Sequence, residues 1–291
     1  MTKRVVLIGH PVAHSFSAQM QQAAFDALGI DARYELLDTP APALQETIEA
    51  LRGDDYLGAN VTIPHKERAA TFVDRKSDDA AATGAVNCIT REGKRLVGHN
   101  TDVDAFRVSL DALVGKQKMP RAAVVLGAGG GARAAVHALI TMGFQRVVVF
   151  NRHLHRAEGL VKHFGRSAAH MELRAMPWHE SVIESELSRT RVLINATSVG
   201  LGTDESPIPG ELLPPDLLVM DMIYNPPETR LLRDAKAAGA AGLMNGETML
   251  LQQGVDAFQL WTGQQAPVEV MRQKLDEARE AGTDAAGGEL A

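Results

Sequence analysis

Two charged residues, a glycine-rich loop and a pair of serines have the types and spacing to do chemistry. In NVTIPHK, residues 60–66, the chain passes from an apolar strand through Pro64 into a helix start, which places Lys66 in the first turn. The helix dipole disfavours a cation there. A lysine so placed holds its proton less tightly, so its ammonium can give a proton to a substrate oxygen and its neutral amine can take one, although a surface lysine beside a polar segment has the same local sequence. Asp102, in GHNTDVDAF, is the second candidate, and it or Thr101 beside it would serve equally as the cap of the helix that follows.

The stretch VVLGAGGGARAAV carries Gly127-x-Gly129-x-x-Ala132 between an apolar strand and a helix. The first glycine permits a tight turn, the second lets the backbone approach a pyrophosphate, and the small third residue lets helix and strand pack closely. Free N–H groups at the helix start then face the anion. A turn that merely joins strand to helix is the alternative. An NAD-preferring site usually offers a carboxylate about 20 residues further on. This chain offers VVVFNRHLHR, with Asn151, Arg152 and Arg156, and its first carboxylate, Glu158, lies inside the next helix. Two guanidinium forks suit a 2′-phosphate, so NADP is expected over NAD; two solvated arginines at a helix start are the competing reading. His153 and His155 gather no further ligands and give no metal signal.

The serines stand in HPVAHSFSAQM, residues 10–20, where Ser15 and Ser17 flank Phe16. Locally this reads as a strand, a turn, and a helix with Ser17 as its N-cap. His10 and His14 are four apart, but the intervening Pro11 argues against a helical metal pair. Cys88 reads as a buried core thiol, and Trp178 and Trp261 as packing residues.

The elements that must position these residues alternate. RVVLIG (4–9), YELLD (34–38) and GANVTI (58–63) read as strands with helices between, the first helix showing Met20, Ala23, Ala24, Ala27 and Leu28 at helical spacing and Gly29 at its end. GAVNCIT (84–90) and RLVGHN (95–100) follow, then a helix from Thr101 or Asp102 to about Val114 and the polar stretch GKQKMP, which resembles a linker. A second alternation begins at residue 121, and its strands are apolar throughout, which implies a parallel sheet covered on both faces. Helical patterns over about 246–262 and 267–280 close the chain, before a tail too poor in apolar residues to pack.

The 291 residues suggest two domains. A net charge of −6 gives no electrostatic reason to bind nucleic acid or anionic lipid. A single cysteine excludes an internal disulfide, and no apolar run is long enough to span a membrane, so a cytoplasmic protein is expected.

HSFS, NVTIPHK, GAVN, NTD, GAGGGAR, NR, NATSVG, the YNP of MDMIYNP, and NGETMLLQQGVDAFQLWTG together resemble the shikimate dehydrogenase family, in order and spacing over nearly the whole chain. The resemblance implies an α/β protein of two domains. One is a substrate-binding domain over 1–101, completed by about 246–280; the other is a Rossmann-type, doubly wound NADP-binding domain over 102–245. Residues 281–291 are expected to be an unstructured tail. The implied reaction is the reversible NADP-dependent reduction of 3-dehydroshikimate to shikimate, in aromatic amino-acid biosynthesis. Matched motif by motif, the resemblance implies Lys66 and Asp102 as the catalytic pair. Substrate contacts would come from Ser15, Ser17, Thr62, Asn87, Asp102, Tyr224 and Gln253. Cofactor contacts would come from Gly127, Ala128, Gly129, Gly130 and Gly131, from Asn151, Arg152, His153 and Arg156 at the adenosine end, and from Met222 and Gly246 near the nicotinamide. No metal is implied, and a homodimer is admitted.

Three positions depart from the family's common pattern. Ala18 follows HSFS where proline is usual, Asp104 lies after NTD where glycine is usual, and His153 stands in place of threonine. The first two adjoin the substrate side, which keeps open a quinate/shikimate dehydrogenase using NAD or NADP. A paralogue that binds nucleotide and ligand without catalysis is the alternative of a different class.

Overall fold

A computed structural model describes residues 2–13 and 15–288, so His14 lies outside the described residues. The chain forms two compact units, one of residues up to Asp102 together with those from Leu250 onward, the other of Val103–Met249. The polar GKQKMP stretch is therefore internal to the second unit.

The first unit contains β1 (Lys3–Gly9), α1 (Ser17–Ala27), β2 (Ala32–Asp38), α2 (Leu44–Ala50), β3 (Tyr56–Val61), α3 (Lys66–Ala69), β4 (Arg75–Lys76), α4 (Asp78–Thr83), β5 (Cys88–Glu92) and β6 (Arg95–His99). Its sheet runs β2-β1-β3-β5-β6-β4. The first three strands pair in parallel, as the β-α-β-α-β alternation requires, whereas β5 is antiparallel to both β3 and β6. The reversal is local in origin. Gly93, at φ 63°, opens the two-residue turn from β5 to β6, where a side chain would be strained. Val6, Ile8, Ala59, Val61 and Ile89 share one core with Leu44, Ile48 and Leu51.

The buried face of α1 differs from the sequence expectation. It is Ser17, Met20, Gln21, Ala24 and Phe25, while Leu28 is 39% exposed. The polar Gln21 tolerates burial because its Nε2 donates to the Gly254 carbonyl at 2.9 Å, and the buried set lies three residues earlier in the chain than expected.

The second unit begins within α5 (Asp102–Val114) and continues through β7 (Ala122–Leu126), α6 (Gly130–Thr141), β8 (Arg146–Phe150), α7 (Leu154–Phe164), β9 (Glu172–Met176), α8 (Glu180–Leu187), β10 (Val192–Asn195), β11 (Leu218–Asp221), α9 (Arg230–Ala237) and β12 (Gly242–Met244). Every strand pair is parallel, in the order β12-β11-β10-β7-β8-β9. Counted from β7 this is the 3-2-1-4-5-6 order of doubly wound nucleotide-binding sheets. Neighbouring residues enter opposite cores: Val125, Val147, Val149 and Ile194 pack on one side, and Val124, Leu126, Val148 and Leu193 on the other. That two-sided burial is why these strands read as unbroken apolar runs.

Two helices close the chain, α10 (Glu247–Thr262) and α11 (Val268–Gly288). Residues 281–288 therefore continue a helix instead of forming the unstructured tail expected from 281 on. Residues 289–291 lie outside the described residues.

Candidate active site

In the first unit the chain leaves β1 for β2 on one side and returns to β3 on the other. Open α/β sheets hold ligands beyond the carboxyl ends of strands at such a switch point. Ser15 and Ser17 follow β1, and Thr62 and Lys66 follow β3. Because β5 runs antiparallel, its amino end lies at this same edge. Asn60 is paired with Cys88 and Cys88 with His99, which brings Asn87 and the Asn100-Thr101-Asp102 segment to the same end of the sheet. The strand ends meet closely: a Cβ on Gly9 would lie 2.3 Å from Thr62 Cγ2.

Lys66 and Asp102 are together. Lys66 Nζ donates to Asp102 Oδ2 at 2.5 Å, with side-chain exposures of 19% and 5%. Asn87 Nδ2 donates to Asp102 Oδ1 at 2.9 Å and to Thr101 Oγ1, while Asn87 Oδ1 accepts from the Thr101 N–H at 2.7 Å. Both carboxylate oxygens of Asp102 are thus engaged by side chains, and its own N–H donates to Asn100 Oδ1. Charge-assisted bonds of this kind fix geometry more firmly than neutral ones. Lys66 opens α3, as expected, but α3 is a single turn, so its dipole is weak. The charge that faces Nζ is the Asp102 carboxylate.

The serines occupy different positions from those the local pattern suggests. Phe16 is the N-cap residue of α1 and Ser17 its first helical residue, because Ser15 Oγ takes the Ser17 N–H at 3.3 Å. The Ser17 hydroxyl is left out of the capping role. Gln253 offers its carbonyl to Thr101 Oγ1 at 3.1 Å, and its carboxamide donates to Leu250 O. Asp104 forms an ion pair with Arg107 one turn along α5. Tyr224 belongs to the second unit and follows β11, half-buried.

The glycine loop has the conformation its spacing predicts. Gly127 adopts φ 108°, and a Cβ there would lie 2.7 Å from Ala196 O. Gly129 is the N-cap residue of α6 with open space where a side chain would stand, and Ala132 is fully buried. These features fit a pyrophosphate against the start of α6. A Cβ on Gly131 would approach Met222 Sδ to 3.2 Å, and one on Gly246 would approach Met222 O to 2.2 Å. Met222 and Gly246 are therefore gathered with the loop. Asn151, at the end of β8, donates to the His153 carbonyl at 2.9 Å, and Arg152, His153 and Arg156 are exposed there. Among the described residues no cluster of histidine, cysteine or carboxylates could hold a metal, and no helix is long and apolar enough to cross a membrane. Cys88 is fully buried, and burial pushes its thiol up.

Sequence reasoning missed a second polar hub, at Asp221. Its fully buried carboxylate accepts from Asn195 Nδ2 at 2.9 Å, from the Ile223 N–H at 3.1 Å and from Thr229 Oγ1 at 2.7 Å. Burial pushes the carboxyl up to about 6, against the pull of those three donors. The available signal was a charged residue ending the apolar strand LVMD. Asn60, buried within β3 and bonded to Tyr34 and to the Asn87 carbonyl, was missed likewise.

Comparison with known proteins accounts for most of the chain. Residues 7–89 match the shikimate dehydrogenase substrate binding domain, 113–200 the shikimate / quinate 5-dehydrogenase model, and 246–275 the shikimate 5′-dehydrogenase C-terminal domain. The chain is 40% identical over 277 residues to the shikimate dehydrogenase (NADP(+)) of Methanopyrus kandleri, covering 94% of this chain and 95% of that one. The shikimate 5-dehydrogenase of Thermus thermophilus, solved with NADP(H) and shikimate, superposes with a TM-score of 0.82 at 39% identity over 95% of this chain and 99% of the other. Quinate dehydrogenase of Corynebacterium glutamicum, solved with NAD, gives 0.84 at 29% identity over 95% and 99%.

Proposed function

This chain belongs to the shikimate dehydrogenase family, and we propose that Lys66 and Asp102 are the pair with which it works. It is an NADP-dependent oxidoreductase acting on a CH–OH group, interconverting 3-dehydroshikimate and shikimate in aromatic biosynthesis. The 2.5 Å contact between Lys66 Nζ and Asp102 Oδ2 is the observation that carries the assignment of the pair.

NADP supplies the hydride chemistry. The chain's own residues must manage the proton. When shikimate is oxidised, the hydroxyl proton passes to the neutral amine of Lys66; when 3-dehydroshikimate is reduced, the Lys66 ammonium returns it. Asp102 orients the lysine, offers an acceptor to the same hydroxyl, and is itself held by Asn87. Ser15 and Ser17 receive the substrate carboxylate, while Thr62, Asn87, Tyr224 and Gln253 contact the ring hydroxyls. The start of α6, with Gly127 to Gly131, takes the pyrophosphate; Asn151, Arg152, His153 and Arg156 take the adenosine end, and Met222 and Gly246 flank the nicotinamide. The enzyme acts in the cytoplasm, and light scattering would distinguish a monomer from the homodimer this reading admits.

The departures at Ala18 and Asp104, with the likeness to an NAD-bound quinate dehydrogenase, favour quinate as the second reading. Initial rates with shikimate and quinate, each with NADP and NAD, decide between them. Shikimate with NADP should give the highest kcat/KM, and a higher value for quinate with NAD would overturn the assignment. Absence of hydride transfer in all four, with NADP still bound, would leave a non-catalytic paralogue.

A further inference from the structure

Asp221 takes no part in the proton transfer assigned to Lys66, yet three segments of the second unit converge on it. Through Asn195 it reaches the loop after β10. Asn195 Oδ1 accepts from the N–H and the hydroxyl of Thr197, at 3.0 and 2.7 Å, and Thr197 Oγ1 accepts from the Val199 N–H. Through the Ile223 N–H it fixes the loop after β11, and through Thr229 it reaches the start of α9, which the same hydroxyl caps. These loops are what the nucleotide-side glycines press against: Gly127 on Ala196, Gly131 and Gly246 on Met222. Met222 is further tied by its N–H to Asn195 O at 3.0 Å, and Gly246 by its N–H to Ile223 O at 2.9 Å.

All three donors to Asp221 are neutral, and a buried carboxylate so served costs folding stability. Local rules of this kind are broken where a site demands it. We propose that Asp221 is a positioning residue for the cofactor, its ionised carboxylate locking the loops over 195–199 and 221–229 so that Met222 is held in place beside the glycine loop. This rests on the reading that Met222 and Gly246 flank the nicotinamide. An amide in place of the carboxylate can still serve Ile223 and Asn195 through its one oxygen, but its NH2 faces Thr229, whose hydroxyl proton then loses its acceptor.

The test is Asp221→Asn, assayed near pH 8 with shikimate and NADP. The KM for NADP should rise about tenfold, the size expected for one buried donor left unmet, with the shikimate KM within about twofold of wild type and a thermal midpoint no lower. A merely structural role predicts loss of activity in step with loss of stability. An unchanged NADP KM, or a rise accompanied by a lower midpoint, overturns the proposal. Thr229→Val should give a smaller rise and Thr229→Ser none; equal behaviour of the two overturns it as well, and this pair serves if Asp221→Asn does not fold. If wild type shows no turnover, the family activity fails instead, and NADP affinities of wild type and variant, measured by fluorescence titration, still decide the role of Asp221.

Discussion

Asp221→Asn should also change how stability depends on pH, in a direction set by burial. The Asp221 carboxyl lies at about 6, against an ordinary 3.8, because desolvation outweighs its three hydrogen bonds. A carboxyl that holds its proton more tightly folded than unfolded stabilises the fold fully below 3.8, and that contribution drains away as pH rises through 6. The gap corresponds to about 3 kcal/mol in all. Roughly a third is already lost by about pH 4.5, leaving about 2 kcal/mol to disappear between there and pH 7.5. An amide has no such proton to lose. The variant should therefore gain about 2 kcal/mol on wild type across that interval, whatever its offset at the acid end. Denaturant titrations at matched ionic strength measure this. They should be followed by Trp178, which lies in the second unit, with both proteins in a Trp261→Phe background so that the two units are not averaged. A difference that stays flat with pH, or that favours wild type as pH rises, refutes the account of Asp221 as a desolvated carboxylate.

Three further outcomes are expected. Lys66→Ala should lower turnover at least about 100-fold while NADP titrates normally; near-normal turnover would remove Lys66 from the chemistry. Replacing Ser15 and Ser17 together by alanine should raise the KM for the acid substrate about tenfold or more, the scale of lost hydrogen bonds to a charged group. An unchanged KM would return the serines to turn and helix start. Gly127→Ala forces a side chain into positive φ and against Ala196, so it should cost about 1–3 kcal/mol and weaken NADP binding. Thermal melts and titrations indistinguishable from wild type would contradict the close approach.

How much of this was legible in the sequence depends on what each residue needs. Gly127 needs its positive φ, Gly129 leaves open space at the start of α6 and Ala132 is buried, and all three demands fall within six residues, so spacing alone announces their loop. The apolar strands of the second unit are legible because both faces are buried, whereas β9 and β12, half-buried strands at the sheet edges, leave almost no pattern. Lys66 and Asp102 were visible as types, but each had an adequate local alternative. What joins them is the antiparallel register of β3, β5 and β6, a nonlocal pairing no window of sequence contains. The N-cap of α1 fell on Phe16 because Ser15 supplied the acceptor two positions earlier than the capping pattern suggests. Asp221 escaped notice because a carboxylate at a strand end is ordinarily solvated, and only the packed surroundings make it buried.

The first unit is made of the two ends of the chain, and this has a consequence for biosynthesis. Trp261 seats against Gly58 and donates to Ile89 O across 172 residues, and Gln21 reaches Gly254 across 233. A ribosome that has finished β6 must still make roughly 150 residues of the second unit before those partners emerge, a wait on the order of 10 s at ordinary elongation rates. The second unit, continuous in sequence, can fold as it appears. Chains ending at residue 249 and released from the ribosome should accordingly protect 103–249 from protease while 3–99 remain open to cleavage. The face of the first sheet that α10 will cover is, for that interval, an apolar surface with its last helices still unborn, and the unit that holds Ser15, Ser17, Lys66 and Asp102 is the last to be completed.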